Sequence, residues 1–150
     1  MAEQQVQITD LDPQQLQEVK KQLDEELDHL TNSFGQLKQA QAKFRSCMSD
    51  IDELTPATTD KEVLIPLTSS LYVPGNLGDV SNVIVDVGTG YYVKKTRAEA
   101  NSHYKTKADF VQQNLDTLQK TIERKQENAQ SVVQVMQMKL QEQQQQPQKA

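Results

Sequence analysis

The part of the sequence that most resembles a ligand-binding motif is the glycine pair Gly88 and Gly90 in NVIVDVGTGYYVKK. A phosphate-binding loop needs a helix directly after its glycines, because the unpaired N–H groups of a helix N-terminus hold the anion. The residues after Gly90 are YYVKKT, which are aromatic and β-branched and are typical of a strand. The pattern therefore favours a turn between two strands over a nucleotide-binding loop.

Other residues that might carry chemistry are isolated from the partners that such chemistry requires. Ser102 and Lys105 have the Ser-x-x-Lys spacing of one class of acyl-transfer enzymes, but the companion motifs of that class are missing. His29 and His103 have no second histidine at helical spacing and no cysteine pair beside them. Cys47 is the single cysteine. We therefore expect no enzymatic activity, no cofactor, no metal site and no internal disulfide.

The composition favours long helices over a compact core. The chain has 150 residues with 35% hydrophobic and 5% aromatic content, and its formal net charge is -5. Helices that pack along narrow seams need few apolar residues, because a seam buries only two positions in seven.

The acidic charge argues against a nucleic-acid partner, and the lack of a run of 18 apolar residues argues against a membrane span. With neither a secretory signal nor a glycosylation sequon, the sequence predicts a cytoplasmic location, with the nucleus as a further compartment.

Two long helices are predicted from capping signals and from apolar residues spaced three and four apart. Asp12, Pro13 and Gln15 predict the start of the first helix, at residues 13–55, and the Thr55-Pro56 pair ends it. Thr96 and Glu99 predict the start of the second helix, at residues 97–142. The first seam consists of Leu16, Val19, Leu23, Leu27, Leu30, Phe34, Leu37, Phe44, Met48 and Ile51, with polar Gln41 among them, and the second of Tyr104, Ala108, Val111, Leu115, Leu118, Ile122, Ala129, Val132, Met136 and Leu140.

The two helices are similar in length, so we expect a single domain over residues 1–150 that is mainly α. In it the helices form an antiparallel coiled-coil hairpin and both chain ends lie at its far end. The glutamine-rich tail at residues 143–150 is predicted to be disordered.

Residues 61–95 between the helices read as two β-hairpins. Apolar residues alternate along both segments, with a turn predicted at Pro74-Gly75 and another at the glycine pair. Isolated hairpins are marginal in water, so this segment is expected to complete its sheet with other chains. The predicted subunit-interface residues are Val63, Ile65, Leu67, Leu71, Val73, Val83, Val85, Val87, Tyr91 and Val93.

The ends of the helices carry more apolar residues than one narrow seam can hide. Val132, Val133, Val135, Met136 and Met138 spread around much of the second helix. A wider interface inside the coiled coil is one explanation, and an adaptable contact surface for varied partners is the other.

Two motifs between the helices, PLTSSLYVPGNL and DVGTGYYVKKT, closely resemble the α-class subunits of the prefoldin family. The resemblance covers residues 8–140. It implies a heterohexamer of two α-class and four β-class subunits, whose β-hairpins form a shared platform from which six coiled coils extend. It also implies that the coiled-coil ends hold unfolded actin, tubulin and other nascent chains and deliver them, without ATP, to the cytosolic group II chaperonin.

The resemblance turns the apolar helix ends into candidate client-binding residues: Leu11, Leu16, Val19, Val132, Val133, Met136 and Leu140. The competing interpretation is a structural coiled-coil scaffold or tether that binds one fixed protein partner. The two hairpins favour the prefoldin-like subunit over the scaffold, because a scaffold rod does not require strands that other chains must complete.

Overall fold

The computed structural model describes residues 7–145, which form two long helices joined by four strands. Helix α1 spans Pro13–Glu53 and helix α2 spans Arg97–Gln145. Between them lie strands β1 (Glu62–Pro66), β2 (Tyr72–Asn76), β3 (Asn82–Gly88) and β4 (Tyr91–Thr96). Short 3-10 turns at Ile8–Asp10 and Pro56–Thr58 complete the described secondary structure. The fold is thus mainly helical with two small antiparallel hairpins.

Side-chain caps fix where both helices begin. The Gln15 side chain accepts a hydrogen bond from the Asp12 N–H at 3.0 Å, one half of a capping box. At the start of α2 the box is complete: the Thr96 N–H donates to Glu99 Oε2 and the Glu99 N–H donates to Thr96 Oγ1, both at 3.2 Å. The starts of both helices are therefore encoded locally.

The helix ends lie close to the expected positions. Helix α1 stops at Glu53, because Thr55 before Pro56 is extended and the chain enters a 3-10 turn. Helix α2 continues through Gln145, since Gln and Glu are good helix formers, so residues 143–145 of the predicted tail are helical. Residues 146–150 of that tail lie outside the described residues. Neither helix, nor any other helix within residues 7–145, is apolar enough over a sufficient length to span a membrane.

The described chain divides into two compact units, and the first consists of residues 7–37 and 114–145. Its core includes Leu16, Leu115 and Val132, all buried. Antiparallel packing of the two helices follows from two contacts, in which Lys125 pairs with Glu26 and the Lys139 ammonium donates to the Leu11 carbonyl.

The second unit consists of residues 38–113 and contains all four strands. Between its helical segments, Gln41 is only 5% exposed, and its amide donates to Gln112 Oε1 at 2.7 Å and to the Ala108 carbonyl at 3.4 Å. A buried amide costs little when it is hydrogen-bonded, so a polar residue is tolerated on the predicted seam. Nearer the strands, the Arg97 guanidinium donates to the Leu54 carbonyl just beyond the end of α1. The cation there complements the negative end of the α1 dipole.

The glycine pair forms the turn between β3 and β4, as its residue types predict. Gly88, Thr89 and Gly90 all have positive φ, at 123°, 46° and 79°. The Gly88 N–H donates to Asp86 Oδ1 at 3.0 Å beside a bulge in the ladder. Strand β4, and not a helix, follows the turn.

The prediction of a turn at Pro74-Gly75 is wrong. Both residues lie inside β2, where Pro74 is opposite Leu64 and Gly75 is opposite Val63. The chain turns instead between Leu67 and Leu71, where the Leu67 N–H donates to the Leu71 carbonyl at 2.9 Å. A proline is compatible with β2 because this strand has only one neighbour among the described residues, which leaves an edge where no donor is needed.

Candidate functional site

One face of the second hairpin packs on the chain's own helices. Val85 is 1% exposed and forms a buried cluster with Ile51 of α1 and Ala100 of α2. Val83 and Tyr104 pack against this cluster. Val85 was predicted to lie at the subunit interface, but its side chain is already covered within the chain. A polar substitution there would act on the fold of this chain first.

The opposite face of the same hairpin exposes two large apolar side chains among polar ones. Ile84 is 74% exposed, and Tyr92 is also exposed. Side chains alternate across a strand, so these residues point away from the Val85 cluster. Neither was among the predicted interface residues, because this face also carries the polar Asn82, Asp86 and Lys94, so the alternation in NVIVDV marks only the opposite face as apolar.

The first hairpin exposes apolar side chains on both of its faces. Four predicted interface residues are exposed on one face and its adjoining turn: Ile65, Leu67, Leu71 and Val73. Leu64 and Tyr72 are exposed on the other face and were not predicted. Val63 is half-buried. Gly75 leaves room for Ile65, because a Cβ added to Gly75 would come within 2.8 Å of Ile65 Cδ1.

The remaining predicted interface residues lie in the second hairpin. Val87, Tyr91 and Val93 are exposed, while Val83 is half-buried beside Val85. Most of the large hydrophobic side chains that are exposed among the described residues lie in the two hairpins, a concentration that marks a candidate contact surface.

At the helix ends of the first unit, the predicted client-binding residues differ in exposure. Leu16 and Val132 are fully buried, and Leu11, Val19, Val133 and Met136 are half-buried. Leu140 is 55% exposed. Met138 is also exposed; it was among the apolar residues noted at this helix end but was not named as a client-binding residue. Met138 and Leu140 are therefore accessible to a binding partner, whereas Leu16 and Val132 become accessible only if the helices separate.

The titratable side chain of Tyr104 packs against the Val85 cluster. Burial raises the pKa of the Tyr104 phenol, and the neighbouring Cys47 adds to the shift. A raised pKa keeps this hydroxyl protonated and hence weakly nucleophilic. Ser102 and Lys105 are exposed on α2. Among residues 7–145, no three His, Cys, Asp or Glu side chains cluster closely enough to hold a metal ion.

Comparison with known proteins gives one consistent result. The family model described as prefoldin subunit matches residues 23–142. The chain is 47% identical over 137 residues to the probable prefoldin subunit 5 of Schizosaccharomyces pombe, which covers 89% of this chain and 88% of the relative. It is 41% identical over 139 residues to prefoldin subunit 5 of Homo sapiens, with 93% and 90% covered.

A solved structure has a similar fold. This is the cryo-EM structure of filamentous PFD from Methanocaldococcus jannaschii, which superposes with a TM-score of 0.68 at 18% identity. The match covers 77% of this chain and 96% of the other, so the likeness extends over nearly the whole of that protein.

Proposed function

Because the chain belongs to the prefoldin family, we propose that it joins a shared β platform through its two hairpins and holds unfolded proteins at the end of its helix pair. It is a subunit of a heterohexameric prefoldin complex, and its chaperone role follows from the family. The proposed partners are α- and β-class prefoldin subunits, unfolded actin and tubulin, and the cytosolic group II chaperonin. The proposed location is the cytoplasm and also the nucleus.

The observation that carries the assembly part is the exposure of apolar side chains along both hairpins. Two-stranded ribbons are marginally stable alone, and uncovered strand edges pair readily with other chains. The chain therefore requires neighbours at Ile84, Leu64 and Tyr72, which would otherwise stay in water. The residues predicted for this interface remain candidates, except Val85, whose side chain packs within the chain.

Client holding is assigned to the exposed end of α2. Met138 and Leu140 are exposed there, with half-buried Val133 and Met136 beside them in sequence. Flexible methionine side chains adapt to varied apolar partners, which suits clients without a fixed structure. One such surface binds weakly, but several on one platform raise the effective concentration of the next contact. Release then needs no ATP, and we propose that the chain has no enzymatic activity.

The test replaces Val133, Met136, Met138 and Leu140 with Ser and leaves the buried Leu16 and Val132 unchanged. A matched control replaces exposed Gln137 and Gln141 of the same helix segment with Ser. The variant is incorporated into a hexamer whose other coiled-coil ends are truncated, so that redundancy does not hide its effect.

Suppression of aggregation is then measured for two unrelated denatured clients, after native mass spectrometry has verified assembly. We expect the apolar-to-Ser variant to lose most of its protection of both clients while the glutamine control keeps it. Undiminished protection by the apolar-to-Ser variant would show that this helix end does not hold clients. Protection of one client only would favour a tether with one fixed partner.

A further inference from the structure

A groove lies where the helices of the second unit meet the end of strand β3. Lys43 and Phe44 line it from α1, and Tyr104 and Lys107 line it from α2. The two aromatic side chains are half-buried, with ring centroids 6.3 Å apart, and residues 86–88 of β3 are also part of the lining. The groove therefore combines an aromatic surface with one lysine from each helix.

The register of the helices places the two lysines opposite each other. Gln41 of α1 donates to the Ala108 carbonyl of α2. Lys43 follows Gln41 by two residues and Lys107 precedes Ala108 by one, so antiparallel packing brings both to nearly the same level. Both are exposed, and neither forms an ion pair with another residue among 7–145. Two like charges across a groove repel each other, so an anion bound between them is favoured.

The other charged groups at the groove do not supply that anion. Among the described residues, Asp86 is the only acidic residue in the lining. Its side chain lies on the Ile84 face of the hairpin, where Oδ1 accepts the Gly88 N–H at 3.0 Å. His103 also lines the groove, with its ring edge-on to Tyr104 at 5.4 Å between centroids. In the adjoining cavity, Lys95 and Glu99 contribute one charge of each sign.

We propose that this groove binds an acidic, unstructured segment of a client polypeptide, with a carboxylate between Lys43 and Lys107 and an apolar side chain against Phe44 and Tyr104. The proposal rests on the proposed function, because it names a second class of client segment besides the apolar one assigned to the end of α2. A free inorganic anion would use only the lysines, whereas a peptide also covers the two aromatic rings. Lysine side chains are flexible point charges, which suits carboxylates without a fixed position.

The first test measures binding of a short fluorescein-labelled peptide, rich in Glu with interspersed Leu, to the assembled complex by fluorescence anisotropy. The comparison peptide has Gln in place of every Glu. The groove variant combines Lys43→Gln with Lys107→Gln. Its matched control combines Arg45→Gln with Lys105→Gln, which removes one exposed cation from each of the same helices outside the groove lining.

We expect the groove variant to bind the Glu peptide at least about fivefold more weakly, because exposed ion pairs are individually weak and two are lost. The control should stay within about twofold of the unmodified complex, and Lys43→Arg with Lys107→Arg should retain binding. Equal losses in the groove variant and the control would overturn the proposal, since attraction to overall charge explains them. Equally tight binding of the Gln peptide, or its full displacement by inorganic phosphate at matched ionic strength, would also overturn it.

The second test locates the peptide on this chain, because the other subunits of the complex also carry charged surfaces. The Glu peptide is given a photoreactive group, crosslinked to the unmodified complex and mapped by mass spectrometry. We expect adducts on this chain at residues 43–47, 86–88 and 103–107. Adducts that avoid all three segments would overturn the assignment of the groove.

The outcomes separate this inference from the proposed function. If replacing the apolar residues at the end of α2 abolishes client protection while the groove variant binds the Glu peptide normally, only the groove assignment is wrong. If the groove variant loses the peptide while the α2-end variant protects clients fully, the assignment of client holding to that end is wrong instead. Native mass spectrometry and circular dichroism verify assembly and helix content of each variant. Failure of the groove variant to assemble would show that a neighbouring subunit occupies the groove, which overturns the inference.

Discussion

Val85 and Ile84 are neighbours in β3 that face opposite directions, and they allow a direct test of which face the chain itself covers. Val85 lies in the cluster with Ile51 and Ala100, whereas Ile84 points to solvent. Val85→Ala removes two buried carbon groups, which costs about 1.6 kcal/mol at about 0.8 kcal/mol per group. The cavity left behind raises the expected loss to about 2–3 kcal/mol. Ile84→Ala removes groups that are already in water, so its cost should stay below about 0.5 kcal/mol.

The assay is urea and thermal unfolding of each full-length variant, both monitored by circular dichroism at one protein concentration so that self-association is held constant. For a chain of this length, a loss of about 2–3 kcal/mol corresponds to a fall in Tm of roughly 5–10 °C. In assembly with the other subunits we expect the order to reverse, with Ile84→Ala incorporated less well than its stability would indicate. Equal destabilisation by the two substitutions would refute the assignment of the buried face.

Three further predictions concern the local features of the fold. Thr96→Ala removes the hydroxyl that accepts the Glu99 N–H, so urea unfolding should show a loss of about 1 kcal/mol, and an unchanged midpoint would contradict the capping role. Gly90→Val places a β-branched residue at φ 79° and should lower Tm more than Gly90→Asn, which tolerates that region; equal effects would argue against backbone strain. Lys125 holds the pKa of the Glu26 carboxyl below its usual range, so the ion pair stabilises the helices fully at pH values above the usual carboxyl pKa. That contribution is lost as the pH falls through the lowered pKa, and the Tm difference between wild type and Glu26→Gln should shrink toward zero there; a constant difference would exclude the ion pair as its cause.

Several features were predictable because their causes are local in sequence. A capping box needs only residues three apart, so Thr96 and Glu99 predict the start of α2 directly. The glycine turn is equally local, because positive φ at Gly88 and Gly90 is available to glycine without a steric cost. The helical seams are predictable from the spacing of apolar residues alone. Gln41, the polar residue on the first seam, is tolerated there because its side-chain amide donates a hydrogen bond to Gln112 Oε1.

What the sequence leaves undetermined is which apolar side chains the chain itself covers and where its strands pair. Val85 and Val93 are paired residues that were both predicted for the subunit interface, and only packing on α1 and α2 decides that the chain buries Val85 and leaves Val93 exposed. Pro74 has the residue type of a turn, yet it lies in β2. The pairing register places its nitrogen, which has no hydrogen to donate, at an open edge of the strand. Likewise, Val132 and Leu140 share one predicted seam, but only the former is enclosed. Local propensities depend on residues near in sequence, whereas burial and register depend on groups brought together by folding.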